Sequence, residues 1–205
     1  MIGMATTALG LGLALYVSLQ AYNQGMVLFH WHPVLMSSSA LFLSTAGIQA
    51  VRSRHAAGGV QPKTQRVQLH SGLSNLAVIS MLGGMYAIYT NKENIGKDHW
   101  ASWHSWAGVL AAALWVANVA VAAANTADLE KKRLFFLWKS RNHRWLGKAA
   151  FCAGLWAVVL GLHSGWGMRS LGGERGVWAM TAGVVGVFVG VVAAREDGHP
   201  PKKSA

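Results

Sequence analysis

The sequence predicts an all-α membrane protein with six transmembrane helices. Its 205 residues are 53% hydrophobic and only 12% charged, whereas about 25% of the residues in a soluble domain are charged. Apolar runs close to the roughly twenty residues that a helix needs to cross a bilayer recur along the chain. A backbone inside hydrocarbon must satisfy its own hydrogen bonds, so each run is expected to be helical.

Polar or helix-breaking segments separate the apolar runs and set their limits. The predicted spans are about 4–23, 33–51, 67–90, 101–124, 144–163 and 176–194, followed by a tail over 195–205. The first run lacks a basic leader and is longer than the apolar part of a signal peptide, so we expect it to stay in the protein. No stretch outside the runs is long enough to bury its own core, which predicts one domain over 1–205.

The lysines and arginines of the loops predict the orientation. Fourteen of the eighteen basic residues fall on one side of the predicted topology, and cytoplasmic loops carry such an excess. Both termini are therefore expected in the cytoplasm. The same distribution explains the net charge of +11 without a nucleic-acid partner, because the basic residues cluster between apolar runs and no nucleic-acid-binding motif surrounds them.

Four histidines recur at the starts of predicted spans two to five. They are His32, His70, His104 and His143. Consecutive spans run in opposite directions, so the first and third are expected near one membrane face and the second and fourth near the other. A single histidine at a helix end is usually an interfacial residue, but ionisable residues that recur within spans are costly and usually functional. We therefore interpret the four as metal ligands.

Two facing pairs of imidazoles indicate haem iron rather than a small metal ion. No carboxylate or thiolate lies near these histidines within the spans to complete a zinc or copper site. Two axial histidines leave no open coordination position, which favours electron transfer over oxygen chemistry. The pattern therefore predicts two haems, one held by His32 and His104 and one by His70 and His143, that carry electrons across the membrane.

Among the other histidines, His99 is a candidate for contact with an electron acceptor. It lies five residues before His104 and two residues after Lys97, on the predicted non-cytoplasmic side, and Lys97 is a candidate with it. His163 ends the fifth span on the same side and is interpreted as an interfacial residue. His30 is expected in the loop before the second span.

Three parts of the sequence resemble the cytochrome b561 family. They are WHPVLMS at 31–37, NKENIGKDHWASWHSWAG at 91–108, and the histidines near the starts of the third and fifth spans. The resemblance covers essentially the whole chain and is nearest to the stand-alone six-helix members. It implies a four-helix core, spans two to five, that holds two b-type haems with the same pairing of the four histidines.

The resemblance also implies an activity. Family members pass electrons from cytoplasmic ascorbate to monodehydroascorbate or ferric iron across an endomembrane or plasma membrane, and they are often homodimers. Their ascorbate site uses basic residues close to a haem. The corresponding candidates here, for ascorbate or for haem propionates, are Lys63, Arg66, Lys139, Arg141 and Arg144.

Two other functions fit the same sequence. A quinone-linked dihaem cytochrome that anchors a respiratory or dehydrogenase complex would share the histidine pairs but would be reduced by quinol. A haem-free membrane scaffold would show no Soret absorption and would tolerate replacement of the four histidines by alanine. Proton pumping is not expected, because the seven acidic residues all lie in loops or in the tail and a pump places carboxylates within its spans.

Overall fold

The described part of the chain is helical, and six of its helices are long and apolar enough to span a membrane. The computed structural model describes residues 2–55, 60–127 and 141–194. The prediction of an all-α protein with six transmembrane helices is confirmed. The spanning helices are α1 (Ile2–Asn23), α2 (Leu28–Arg52), α3 (Val60–Asn94), α4 (Trp103–Ala127), α5 (Arg141–Leu162) and α7 (Gly173–Ala193), and the short α6 (Gly165–Ser170) lies between the last two.

Several helices begin before the predicted spans, because the helical backbone continues past the apolar part of each run. Helix α2 begins at Leu28, so His30 is helical and buried rather than part of a loop. The backbone N–H of Val27 donates to His30 Nδ1 at 3.2 Å, which satisfies one donor at the start of this helix. Helix α3 begins at Val60, seven residues before the predicted start. The predicted tail 195–205 lies outside the described residues.

Two antiparallel helix pairs form the core. Helix α2 packs along α3 and α4 packs along α5, whereas contacts between the two pairs are few. Glycines allow the close approach within each pair. A Cβ on Gly84 of α3 would lie 3.3 Å from Leu35 Cβ of α2, and a Cβ on Gly147 of α5 would lie 3.0 Å from Asn118 Nδ2 of α4. Close contacts of this kind are how membrane helices associate, and they leave a slot between the two pairs.

Helices α1 and α7 pack against each other and beside α2. A Cβ on Gly190 of α7 would overlap the Thr6 side chain of α1, so this crossing depends on the glycine. Arg52 at the end of α2 donates a hydrogen bond to the Val191 carbonyl of α7. The outer helices therefore support both α2 and α5 of the core.

Helix α2 contains a π-helical turn at Ser38–Leu43. The backbone N–H of Ser44 bonds to the carbonyl of Ser39, five residues earlier, and Ser44 Oγ donates to the same carbonyl. Ser39 Oγ donates to the Ala77 carbonyl of α3 at 2.7 Å. Turns of this kind are rare overall, and those that do occur often lie at functional sites.

Candidate functional site

The structure brings the four histidines of spans two to five together as two pairs. The ring centroids of His32 and His104 are 5.9 Å apart, and those of His70 and His143 are 6.2 Å apart. The ring planes are nearly perpendicular in both pairs, at 84° and 81°. Each pair joins one helix of α2–α3 to one helix of α4–α5, so both pairs lie across the slot.

The spacing within each pair fits axial ligation of one metal atom. With a metal–nitrogen bond of about 2 Å on each side, two imidazoles that share a metal have ring centroids about 6 Å apart. A haem is a flat group that needs a slot with one ligand on each wall. The histidines and the slot therefore fit one bis-histidine haem at each of the two histidine pairs.

Backbone carbonyls orient the imidazoles. A carbonyl only accepts, so Nδ1 of a bonded ring carries the proton and Nε2 is the nitrogen that can bind a metal. For His143, the backbone of Asn118 on α4 is the corresponding neighbour. The Nδ1-to-carbonyl hydrogen bonds are His32 to Gly84 at 3.0 Å, His70 to Gly47 at 2.9 Å and His104 to Ala157 at 2.9 Å.

These contacts are reciprocal within each helix pair. Every core helix carries a histidine near its start and, farther along, the carbonyl that faces the histidine of its partner helix. Fourteen helical residues span about 21 Å, so the two histidine pairs lie at levels about that far apart. The carbonyl follows the histidine by fifteen residues in α2 (His32 to Gly47) and by fourteen in α3 (His70 to Gly84), α4 (His104 to Asn118) and α5 (His143 to Ala157).

A cavity of 510 Å³ lies at the His32–His104 pair, within the size range of small-molecule sites. Gly108 lines it one turn after His104, and a Cβ there would meet nothing within 4 Å. Gly161 lies against the His104 ring, because a Cβ on it would be 2.9 Å from His104 Cε1. One glycine thus leaves room beside the histidine pair, and the other permits the position of the ring.

His99 lies at the mouth of this cavity. Its ring stacks on Tyr89 with centroids 4.4 Å apart, and its Nε2 is 2.7 Å from Glu93 Oε1. The end of α3 therefore holds His99 in place from two directions, by ring stacking and by a carboxylate. The sequence had pointed to His99 through its spacing from His104, and the structure places both side chains on the same cavity wall.

Lys92, rather than Lys97, brings positive charge to the cavity. Lys92 lies in the last turn of α3 and lines the cavity, and its Nζ donates to the Asp98 carbonyl at 2.8 Å. His32 and His104 line the same cavity. Lys97, the lysine expected here, is exposed on the following loop and is not part of the cavity wall. The sequence shows two lysines five residues apart, and the end of α3 at Asn94 separates them.

The other histidine pair has a buried cation beside it. Arg54 is 6% exposed, donates to the Val51 carbonyl at 2.7 Å and lies close enough for its charge to act on His70. The sequence-based candidates at this end are less enclosed, and Lys139 lies outside the described residues. Lys63 is half-buried, and Arg66, Arg141 and Arg144 are exposed.

Two further histidines bond away from the pairs. His163 Nε2 lies 3.1 Å from Thr181 Oγ1 of α7, and its ring meets Trp178 edge-on at 4.9 Å. His30 packs against Phe29, with ring centroids 5.6 Å apart. The His163 contacts join the end of α5 to α7, whereas the His30 contact lies within α2, and both are structural.

Comparison with known proteins decides the family. The family model described as eukaryotic cytochrome b561 matches residues 31–168, which include all four paired histidines. The chain belongs to the cytochrome b561 family. Cytochromes b561 bind haem, so this chain is a haem-binding, multi-pass membrane protein.

Relatives within the cytochrome b561 family are reductases. The chain is 30% identical over 180 residues to transmembrane reductase CYB561D2 of Bos taurus, covering 86% of this chain and 78% of the relative. It is 29% identical over 175 residues to the Homo sapiens protein of that name, covering 83% and 77%. Over 94 residues, 46% of this chain and 36% of the relative, it is 33% identical to lysosomal membrane ascorbate-dependent ferrireductase CYB561A3 of Rattus norvegicus. The chain is therefore a transmembrane oxidoreductase.

Proposed function

We propose that this cytochrome b561 carries electrons from cytoplasmic ascorbate across the membrane to monodehydroascorbate or a ferric chelate. Two haem b groups, held by His32 with His104 and by His70 with His143, supply the one-electron chemistry when bound. The observation that carries the proposal is the presence of two haem-spaced imidazole pairs at two levels of one helical core. A single pair would serve only one face of the membrane.

The chain's own residues hold the ligands and exclude side reactions. The Nδ1 bonds to backbone carbonyls fix the orientation of the rings and raise the basicity of Nε2. With one histidine of the pair on each side, a bound haem iron would have no open coordination position for oxygen.

The donor site of this proposal lies at the His70–His143 end. Ascorbate is a monoanion at neutral pH, and cations attract it and can also pair with haem propionates. Arg54, buried beside His70, is the described cation best placed for either task. The excess of loop lysines and arginines on this side supports its assignment to the cytoplasm, with both termini. The further candidates remain Lys63, Arg66, Lys139, Arg141 and Arg144.

The acceptor site of this proposal is the mouth of the His32–His104 cavity. Lys92 offers positive charge to an anionic acceptor, and His99 offers an imidazole held by Tyr89 and Glu93. Monodehydroascorbate and most soluble ferric chelates are anions. The ferrireductase activity in the name of the lysosomal relative supports the ferric alternative.

An absorption spectrum of the purified protein in detergent, oxidised and then with ascorbate, tests the proposal. We expect two b haems per chain and reduction by ascorbate. Two haems that respond to a quinol but not to ascorbate would replace the proposal with a quinone-linked cytochrome. No haem after reconstitution would refute electron transfer. Vesicles that enclose ascorbate, with ferricyanide outside, then establish that electrons cross the membrane.

A further inference from the structure

Helix α2 has one residue more than the other core helices between its histidine and its carbonyl. Gly47 follows His32 by fifteen residues, whereas the interval is fourteen in α3, α4 and α5. In a regular α-helix one residue turns the chain by about 100° and advances it by about 1.5 Å. An uncorrected extra residue would turn the Gly47 carbonyl away from α3. Yet it lies 2.9 Å from His70 Nδ1, as close as the corresponding contacts elsewhere.

The π turn of α2 lies within this interval. It spans Ser38–Leu43, and its middle falls within one residue of the midpoint between His32 and Gly47. A π turn closes its hydrogen bonds over five residues instead of four. It therefore accommodates one more residue than an α turn while the helix on either side keeps its phase.

Specific side chains hold the π turn. Ser44 Oγ adds a second bond to the Ser39 carbonyl, and Ser39 Oγ reaches across to the Ala77 carbonyl of α3. Both serines are buried. On the opposite side, a Cβ on Gly10 of α1 would overlap the carbonyl of the fully buried Leu41. Neighbouring helices thus enclose the turn and fix its place along α2.

We propose that the π turn Ser38–Leu43 sets the register of α2 within the haem core, and that Ser39 and Ser44 are the positioning residues that hold the turn. The turn accommodates the additional residue of α2. His32 and the Gly47 carbonyl can therefore each lie at the level of a histidine pair, as the corresponding groups of the other three core helices do. The inference rests on the proposed haem ligation, because it concerns what sets the register of those ligands.

Deletion of Ala40 from the full-length protein tests the register. The deletion shortens the interval to the fourteen residues of the other helices, so the π turn becomes an ordinary α turn with the flanking segments still in phase. We expect two haems per chain, with the electron paramagnetic resonance (EPR) signals and midpoint potentials of the parent protein. Loss of either haem, or a variant that does not fold, would overturn the proposal.

Deletion of Ala113 is the matched control. Ala113 is an exposed alanine between His104 and Asn118 in the regular helix α4, so its removal turns the following segment by about 100°. We expect this variant to lose a haem or to change its ligand signals. If it keeps both haems with unchanged signals, register does not position the ligands and the proposal is wrong. A parent protein without haem would instead refute the ligation itself.

Substitution of Ser44 tests the positioning role at constant length. Ser44 lies one turn before Gly47, so Ser44→Ala is expected to shift the EPR signal and potential of the haem at His70–His143 while the other haem keeps its own. Ser18→Ala is the control, because Ser18 Oγ makes a comparable bond to the Ala14 carbonyl in α1 at 2.8 Å. A lower melting temperature with both haem signals unchanged would show a merely structural role for Ser44.

Discussion

His70 Nδ1 on α3 lies 2.9 Å from the carbonyl oxygen of Gly47 on α2. The reverse contact, from His32 on α2 to the carbonyl of Gly84 on α3, measures 3.0 Å at the other level. Each helix of the pair thus orients an imidazole of its partner at one level and supplies an imidazole of its own at the other. A shift of α2 along α3 would therefore disturb both histidine pairs at once.

Alanine substitution at one histidine of each pair should remove one haem and leave the other. His70→Ala leaves its partner His143 without an opposing ligand, so we expect one haem per chain and no rapid reduction by ascorbate. His104→Ala should remove the other haem and keep ascorbate reduction of the first. Haem counted per chain, with redox titration of the remaining haem, checks both results.

His163→Ala is the control for these variants. His163 is a histidine at the end of a spanning helix, but it bonds to Thr181 of α7 rather than to the slot. We expect two haems with unchanged signals in this variant. Retention of two intact haems in His70→Ala or His104→Ala would contradict the assignment of the ligands.

Gly161→Ala should disturb the His32–His104 pair selectively. The added Cβ would lie 2.9 Å from His104 Cε1, and the bond to the Ala157 carbonyl prevents the ring from simply moving aside. We expect haem affinity at this site to fall on the order of 10–100-fold, the usual cost of disturbing the groups that orient a metal ligand. Haem titration of the apoprotein, followed by EPR, measures the loss.

Gly12→Ala provides the matched comparison for Gly161→Ala. Gly12 lies in α1, and a Cβ on it would meet nothing within 4 Å. This variant should bind both haems with parental affinity. Equal haem affinities in the two alanine variants would show that close packing against His104 does not govern the site.

The fold could be predicted from the sequence because the membrane imposes length and hydropathy on every span. Six apolar runs gave six helices, and the alternation of helix direction was enough to suggest which histidines meet. Local interactions at helix ends were harder to predict. His30 lies between Phe29 and Trp31 in an apolar segment, and its capping contact with Val27 depends on backbone geometry that hydropathy does not encode.

The exact end of one helix and the phase of another were the other parts that the sequence left open. Lys92 and Lys97 have the same charge and lie in the same polar stretch, but only Lys92 lines the cavity. The π turn of α2 is likewise invisible to hydropathy, since its residues Ser38–Leu43 read as part of one continuous apolar span. The first feature depends on where α3 ends, and the second depends on how α2 turns against its neighbouring helices.

The nearly perpendicular imidazoles predict the magnetic properties of the oxidised haems. The ring planes within the two pairs cross at 84° and 81°. The two ligands of a pair therefore interact about equally with the two iron d orbitals that extend above and below the haem plane. Near-degenerate orbitals give strongly anisotropic low-spin EPR signals, in contrast to the rhombic signals of parallel rings. We expect two such signals at low temperature. A rhombic spectrum would show that the rings rotate when haem is bound.

Lys92→Gln should weaken the use of an anionic acceptor. Lys92 is half-buried at the cavity mouth, and its loss removes a favourable charge interaction of about 1 kcal/mol, which is about fivefold in the half-saturating acceptor concentration. The maximal rate should change less, because the haem ligands are intact. Steady-state oxidation of the ascorbate-reduced protein, with ferricyanide and with a neutral acceptor, measures both quantities.

Lys97→Gln makes the same change of charge on the exposed loop beside the cavity. Salt screens the interactions of exposed charges at physiological ionic strength, so this variant should change the half-saturating acceptor concentration less than Lys92→Gln does. The two variants should differ in the half-saturating concentration of ferricyanide, which is an anion, but not in that of a neutral acceptor. Equal effects of both substitutions would mean that the net charge of the loop, rather than the position of Lys92 in the cavity wall, attracts the acceptor.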